Sequence, residues 1–270
     1  MKKYLLVFFF LLSYIALAEI RVKIYFEQVT NGYNIYADNY EFCPVSVKIN
    51  FNLLNLNVYG GNNNIYVVNT NSRRQLLTTL RVNDYTKRYW FSYVYHTNLG
   101  NHYDDYYDWK YAYDLPYSPS SQHKVSQGYN GSFSHQNRYA LDFEMPIGTK
   151  ILAARDGTVI RAVNQFNYGC AHPDCAKYNN YILIYHSDGT FGNYSHLSYN
   201  GVMVREGQNV LRGQLMGYSG NTGFSSGPHL HFEVYKQKLF NRYTLQTRFR
   251  TGDGNTYNYL QERQVYPRNY

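Results

Sequence analysis

The stretch His229-Leu230-His231-Phe232-Glu233-Val234 carries two periodicities at once. In an extended strand successive side chains face opposite sides, so His229, His231 and Glu233 share one face and Leu230, Phe232 and Val234 the other. The apolar trio predicts a half-buried strand over a core. Two imidazoles side by side on the open face predict a metal site, or one ligand beside a general base. By itself a His-x-His pair is only moderately specific, since surface histidines also occur by chance. Glu233 reads equally as a carboxylate that orients a ligand and as an exposed strand residue.

Outward from this stretch the same period of two recurs. Residues 45–53 alternate Val45, Val47, Ile49, Phe51, Leu53 against Ser46, Lys48, Asn50, Asn52, and residues 20–26 set Ile20, Val22, Ile24 and Phe26 against Arg21, Lys23 and Tyr25. Both predict half-buried strands. Gly60-Gly61-Asn62-Asn63-Asn64 predicts a turn. Tyr89–His96 predicts a strand aromatic on both faces, and Arg73–Leu80 fits helix or strand. Ser187-Asp188-Gly189 between Tyr181–His186 and Thr190–His196 predicts a hairpin. Residues 124–235 hold no convincing amphipathic helix. The expected fold is therefore all-β, with a small N-terminal β-sandwich-like domain over 19–117 and a second β domain over 118–236. The boundary falls at Leu115-Pro116-Tyr117-Ser118-Pro119-Ser120-Ser121. A strand and hairpin tail follows at 237–270, turning at Gly252-Asp253-Gly254-Asn255 and expected to pack on the first domain. Asp104, Asp105, Asp108 and Asp114 predict a solvated linker or domain-packing segment more than a calcium loop, which would need a glycine turn and a closing Glu.

Composition agrees. The 270 residues are 44% hydrophobic and 16% charged, which excludes a disordered chain, and 33 Tyr among 19% aromatics suits pleated sheets. Collagen, coiled coil and multi-span membrane protein are excluded on the same grounds. Net charge is +8, spread along the chain, and no Lys/Arg block argues for nucleic acid.

Met1-Lys2-Lys3, an apolar run from Leu5 to Leu17, and Ala16-Leu17-Ala18 predict a signal peptide over 1–18 with cleavage after Ala18. The run is shorter than the ~20 residues of a spanning helix. The expectation is export to the periplasm, the cell envelope or the exterior, with no transmembrane segment in the mature chain. Loss of Lys2 and Lys3 leaves a charge of +6, which favours association with anionic envelope surfaces. In such a compartment Cys170 and Cys175 are expected to close a disulfide loop. A Cys-x-His-x-x-Cys metal clip through His172 ranks lower for want of a fourth ligand, and two free thiols are the third option.

The context of the opening hexapeptide sharpens it. Gly217-Tyr218-Ser219-Gly220-Asn221-Thr222-Gly223 running into Pro228-His229-Leu230-His231-Phe232-Glu233, Tyr194-Ser195-His196-Leu197, Tyr139-Ala140-Leu141-Asp142-Phe143-Glu144-Met145-Pro146-Ile147-Gly148-Thr149, and the turns Gly207-Gln208 and Gly213-Gln214 together resemble the lysostaphin/LytM-type zinc metallopeptidases over roughly residues 125–235. One departure stands out. The family pattern has its first His four residues before the Asp, where this chain has Arg138. His135, seven before Asp142, is the nearest replacement, with His123 as fallback.

The resemblance implies a LytM-type β-sheet peptidase domain with one zinc per chain, held by His135, Asp142 and His231. With no HExxH present, His196 and His229 are left for the proton work. His229 is assigned as general base, and His196 stabilises the oxyanion or protonates the leaving amine; the two roles are interchangeable at this level. For His96, His102, His123, His172 and His186 ordinary structural roles are expected. The function implied is a secreted zinc metalloendopeptidase that hydrolyses peptide cross-links of bacterial cell-wall peptidoglycan through a zinc-activated water. Its expected partner is the peptidoglycan peptide. Three alternatives are weighed against it: a non-enzymatic factor that binds the wall and activates other hydrolases, a protein-directed protease with the same site, and a glycan-binding module using the tyrosine-rich first domain.

Overall fold

The computed structural model of the chain describes residues 20–270; the targeting segment expected at 1–18 lies outside the described residues. The fold is all-β, as the alternation predicted, and the one helical turn among the described residues is the 3-10 segment Pro173–Tyr178. The ambiguous stretch near Arg73 is a strand, Gln75–Val82, since its Leu80 and Val82 enter a core.

Two small sheets come first. One orders the strands Val22–Val29, Gly32–Asn39, Gln75–Val82 and Leu56–Val58; the other places Val45–Leu54 between Ile65–Val68 and Trp90–Leu99. Ile24, Ile35, Val45, Val47, Ile49, Phe51 and Leu80 form one apolar cluster between them. Phe26, expected inward, stays half exposed against Tyr33 and Phe91.

The larger sheet has nine strands. His229–Gln237 lies at its middle, flanked by Phe191–Ser195 on one side and Ala140–Glu144 on the other. Leu230, Phe232 and Val234 point into a core with Leu141, Phe143, Ile182, Ile184, Tyr194 and Phe249, as the alternation required. Burying one such side chain stabilises the fold by roughly 1.5–3 kcal/mol. The opposite face of the strand carries His229, His231 and Glu233, of which only His229 is partly exposed.

The tail departs from expectation. The strand Val265–Arg268 pairs with Ser121–Gln127 at the edge of the large sheet, and Arg242–Leu245 folds back to pair antiparallel with the end of the central strand. The hairpin Arg248–Thr251 with Thr256–Tyr259 turns at Gly252 to Asn255 as predicted, but Phe249 packs into the core of the large sheet rather than on the first domain. An apolar side chain finds most area to bury where the larger core lies.

Charges join the two β regions. Glu41, fully buried, is gripped through both oxygens by Arg161 at 2.7 and 2.8 Å. The acidic segment packs in the same way: Asp104 meets Lys236 at 2.9 Å and Asp105 pairs with Lys238, so these carboxylates are satisfied by amines. Cys170 and Cys175 form the disulfide, Cys43 is a buried free thiol, and His172 caps the 3-10 turn. No helix among the described residues is long and apolar enough to cross a membrane.

Candidate metal centre

Asp142 and His231 are direct neighbours in antiparallel register across the pair Ala140–Glu144 and His229–Gln237. Direct neighbours share a face, so carboxylate and imidazole meet: His231 Nδ1 is 2.9 Å from Asp142 Oδ1. His135 arrives from the loop between Ser121–Gln127 and Ala140–Glu144. Its Nε2 lies 3.3 Å from Asp142 Oδ1 and 3.3 Å from His231 Nδ1. One donor atom from each of the three residues fits within a 4.8 Å cluster, and all three residues are buried. The larger loop thus brings His135 to the Asp, while His123 stays apart with its Nδ1 on the Glu144 carbonyl.

Fixed hydrogen bonds set the tautomers. His135 Nδ1 sits 3.0 Å from the Gly128 carbonyl, which only accepts, so Nδ1 carries the proton and Nε2 presents a lone pair. Two imidazole nitrogens and a carboxylate oxygen thus converge on one point. That donor set suits a divalent cation with an open fourth position, and zinc in particular accepts mixed N and O ligands. Burial alone would lift the Asp142 carboxyl, but His135 and His231 hold it well below the usual range. Burial would lower His135, yet Asp142 raises it.

Asp142 is aimed by Gln127, which donates to Oδ2 at 2.9 Å. Gln127 Oε1 also accepts from Phe133 N at 3.1 Å and Ser134 N at 2.9 Å, tying the histidine loop to the carboxylate. Gly131 is required in this loop because a Cβ there would strike the Gln127 side chain. Gln127 had no sequence signal; only strand register brings it opposite Asp142.

The other two histidines stand beside the cluster. His196 occupies the junction of Phe191–Ser195 and Leu197–Val202 with φ 65°, a left-handed conformation that swings its ring inward. Its Nδ1 donates to the Thr222 carbonyl at 2.7 Å, and its backbone N donates to Asn179 Oδ1 at 2.9 Å. Burial, followed by the neighbouring His229 and His231, pushes His196 down to about 3. His229 Nδ1 donates to the Gly227 carbonyl at 2.7 Å, and its Nε2 lies 3.7 Å from Asp142 Oδ1. The two rings are 4.6 Å apart between centroids, and each offers an unprotonated Nε2. Gly223 (φ 80°) keeps this corner tight, since a Cβ would come within 2.9 Å of Asn179 Cα.

Glu233 is fully buried rather than exposed, because Arg138 covers it with a two-point hydrogen bond at 2.6 and 2.8 Å. Burial would raise this carboxyl, yet Arg138 and its neighbours hold it at about 2. A groove of about 450 Å³ lined by Phe133, Phe224, Ser225, Glu144, His196, His229 and His231 opens on one side of the cluster. A cavity of about 300 Å³ reaches it from the other.

Residues 136–242 match the family described as Peptidase family M23, and His135 falls one residue ahead of the matched span. The peptidoglycan DD-endopeptidase ShyA of Vibrio cholerae is 43% identical over 93 residues, which are 34% of this chain and 19% of that protein. Lysostaphin of Staphylococcus simulans is 37% identical over 122 residues, 44% of this chain and 21% of that protein. The chain therefore spans about a fifth of the length of these two relatives. A solved structure of the lysostaphin catalytic domain from Staphylococcus simulans is 33% identical, covering 43% of this chain and 79% of that one with a TM-score of 0.32. The matched span runs from the residue after His135 through the whole central strand, so residues 136–242 form a Peptidase family M23 domain within the chain.

Proposed function

We propose that the protein is an exported zinc endopeptidase that hydrolyses peptide cross-links in bacterial cell-wall peptidoglycan. The observation that carries this reading is the meeting of His135, Asp142 and His231 within one 4.8 Å cluster, with two further imidazoles alongside. In this reading His135, Asp142 and His231 would hold one zinc ion per chain. Zinc so bound acidifies water and polarises an amide carbonyl. His229 Nε2 takes the proton of the attacking water; His196, whose neutral ring offers Nε2 only as an acceptor, stabilises the carbonyl oxygen or hands a proton to the departing amine only after Nε2 has itself taken up a proton. Fixed carbonyl partners on both Nδ1 atoms keep these rings from turning, which supports proton transfer at Nε2. Water oxygen bonds to the carbonyl carbon, the C–N bond breaks, and the products are a carboxylate and an amine.

The wall substrate is supported by the relatives named peptidoglycan DD-endopeptidase and glycyl-glycine endopeptidase. Export is supported by the targeting pattern of the first eighteen residues and by the disulfide. We read residues 19–117 as an accessory β domain and 118–236 as the peptidase domain.

The test is digestion of purified sacculi by the zinc-loaded protein, with fragments read by mass spectrometry. Peptide-cleaved fragments with intact glycan strands are expected; a chelator abolishes them and added zinc restores them. Intact sacculi together with cleavage of a folded protein substrate would transfer the site to protein-directed proteolysis. Zinc binding without any hydrolysis would leave a wall-binding factor.

A further inference from the structure

We infer that Arg138 is a positioning residue for the metal, a strut that holds the first and third ligands together. It stands four residues before Asp142, where the resembled pattern has a histidine, and its side chain bonds Glu233 instead of Asp142. The inference rests on the metal-site reading above.

Three contacts carry it. Arg138 Nε and an Nη grip Glu233 at 2.6 and 2.8 Å, a fork that matches a carboxylate plane. Glu233 lies two residues beyond His231 on the same face, with Oε2 4.0 Å from His231 Nε2. If His231 Nδ1 is given to a metal beside Asp142 and His135, its Nε2 would carry the proton, and Glu233 supplies the negative charge beside it. At 4.0 Å this contact is electrostatic and not a hydrogen bond.

The backbone of Arg138 does the second half of the work. Its N donates to the His135 carbonyl at 3.0 Å, and its carbonyl accepts from Asn130 N at 2.9 Å. Arg138 therefore closes the loop that carries His135, and its side chain fastens that closure to the strand that carries His231. Gln127 fastens the other end to Asp142. A ligand on a loop loses conformational freedom when it binds a metal, and anchoring both ends removes that loss beforehand. The other partners of Glu233, Arg242 at 3.5 Å and Asn193 at 3.4 Å, are longer and leave the loop untouched.

The experiment measures zinc affinity by chelator competition, the visible spectrum of cobalt-loaded protein, and the melting temperature of the metal-free protein. Wild type, Arg138→Ala, Arg138→Lys and the double variant Arg138→Met/Glu233→Gln are compared. Arg138→Ala is expected to weaken zinc binding about 10–100-fold, with a changed cobalt spectrum. Arg138→Lys keeps charge without the fork and is expected to recover part of the affinity. The double variant removes both charges, so its metal-free melting temperature returns toward wild type while its zinc affinity stays weak. Wild-type affinity and spectrum in Arg138→Ala overturn the inference, as does a double variant that regains affinity together with stability. If Arg138→Ala does not fold, the lysine and double variants decide by the same criteria. A wild-type protein that binds no metal overturns the proposed function itself, which separates the two failures.

Discussion

His229 and His231 are two residues apart on one strand face, yet they meet their surroundings through different atoms. His231 turns Nδ1 to Asp142, while His229 ties Nδ1 to a carbonyl and presents Nε2. The two alanine substitutions are therefore expected to separate. His231→Ala removes a metal donor, so zinc content and wall digestion both fall to background. His229→Ala keeps near-stoichiometric zinc and loses digestion by about 10²–10⁴-fold, the usual contribution of a positioned acid or base. Metal analysis beside a sacculus-clearing assay reads both. Full activity in His231→Ala, or loss of zinc in His229→Ala, would break the division of roles. His135, Asp142, His196, His229 and His231 were all visible in the sequence, because each sits in or next to a recognisable motif. Gln127 and the Arg138–Glu233 pair were not, since register and a loop crossing bring them together across long sequence separations.

At the scale of elements, the strand Gly157–Val163 of the large sheet is joined to the turn after Gly32–Asn39 by Arg161 and Glu41. Burial would raise the Glu41 carboxyl, but Arg161 and Arg21 hold it below its ordinary value. Glu41→Ala leaves the Arg161 guanidinium, 5% exposed, without its main partner. Breaking one half of such a pair is expected to destabilise the protein by about 3–5 kcal/mol in urea unfolding. Replacing both residues by apolar ones of similar volume should restore most of that loss. A Glu41→Ala protein as stable as wild type would show that the contact contributes nothing. The ion pair was not readable from the sequence, because neither residue's own neighbourhood in the chain names the other.

Over the whole molecule, stability should fall in acid for two groups remote from the metal cluster. His186 is buried with its Nδ1 on the Asp156 carbonyl, and burial pushes it down to about 4. A depressed folded value means the unfolded chain takes up the proton first, so stability is full above about 6.5 and is lost as pH falls toward 4. The loss from this group is roughly 3 kcal/mol. Burial would raise Asp188, but Thr190 and Arg155 bring it to about 2, so a second loss follows between about 4 and 2. Unfolding free energy of the metal-free protein against pH measures both; a flat profile from pH 7 to 4 would contradict the assignment of His186.

Alternating residues were enough to specify an all-β chain, and the motif set was enough to name candidate ligands, because strand period and residue chemistry are local properties. Where the tail strands dock, how Glu233 is neutralised and how a loop histidine reaches a strand aspartate all depended on the folded arrangement. Those outcomes are set by which surfaces and charges compete for burial across the sheet, and that competition exists only once distant segments are in contact.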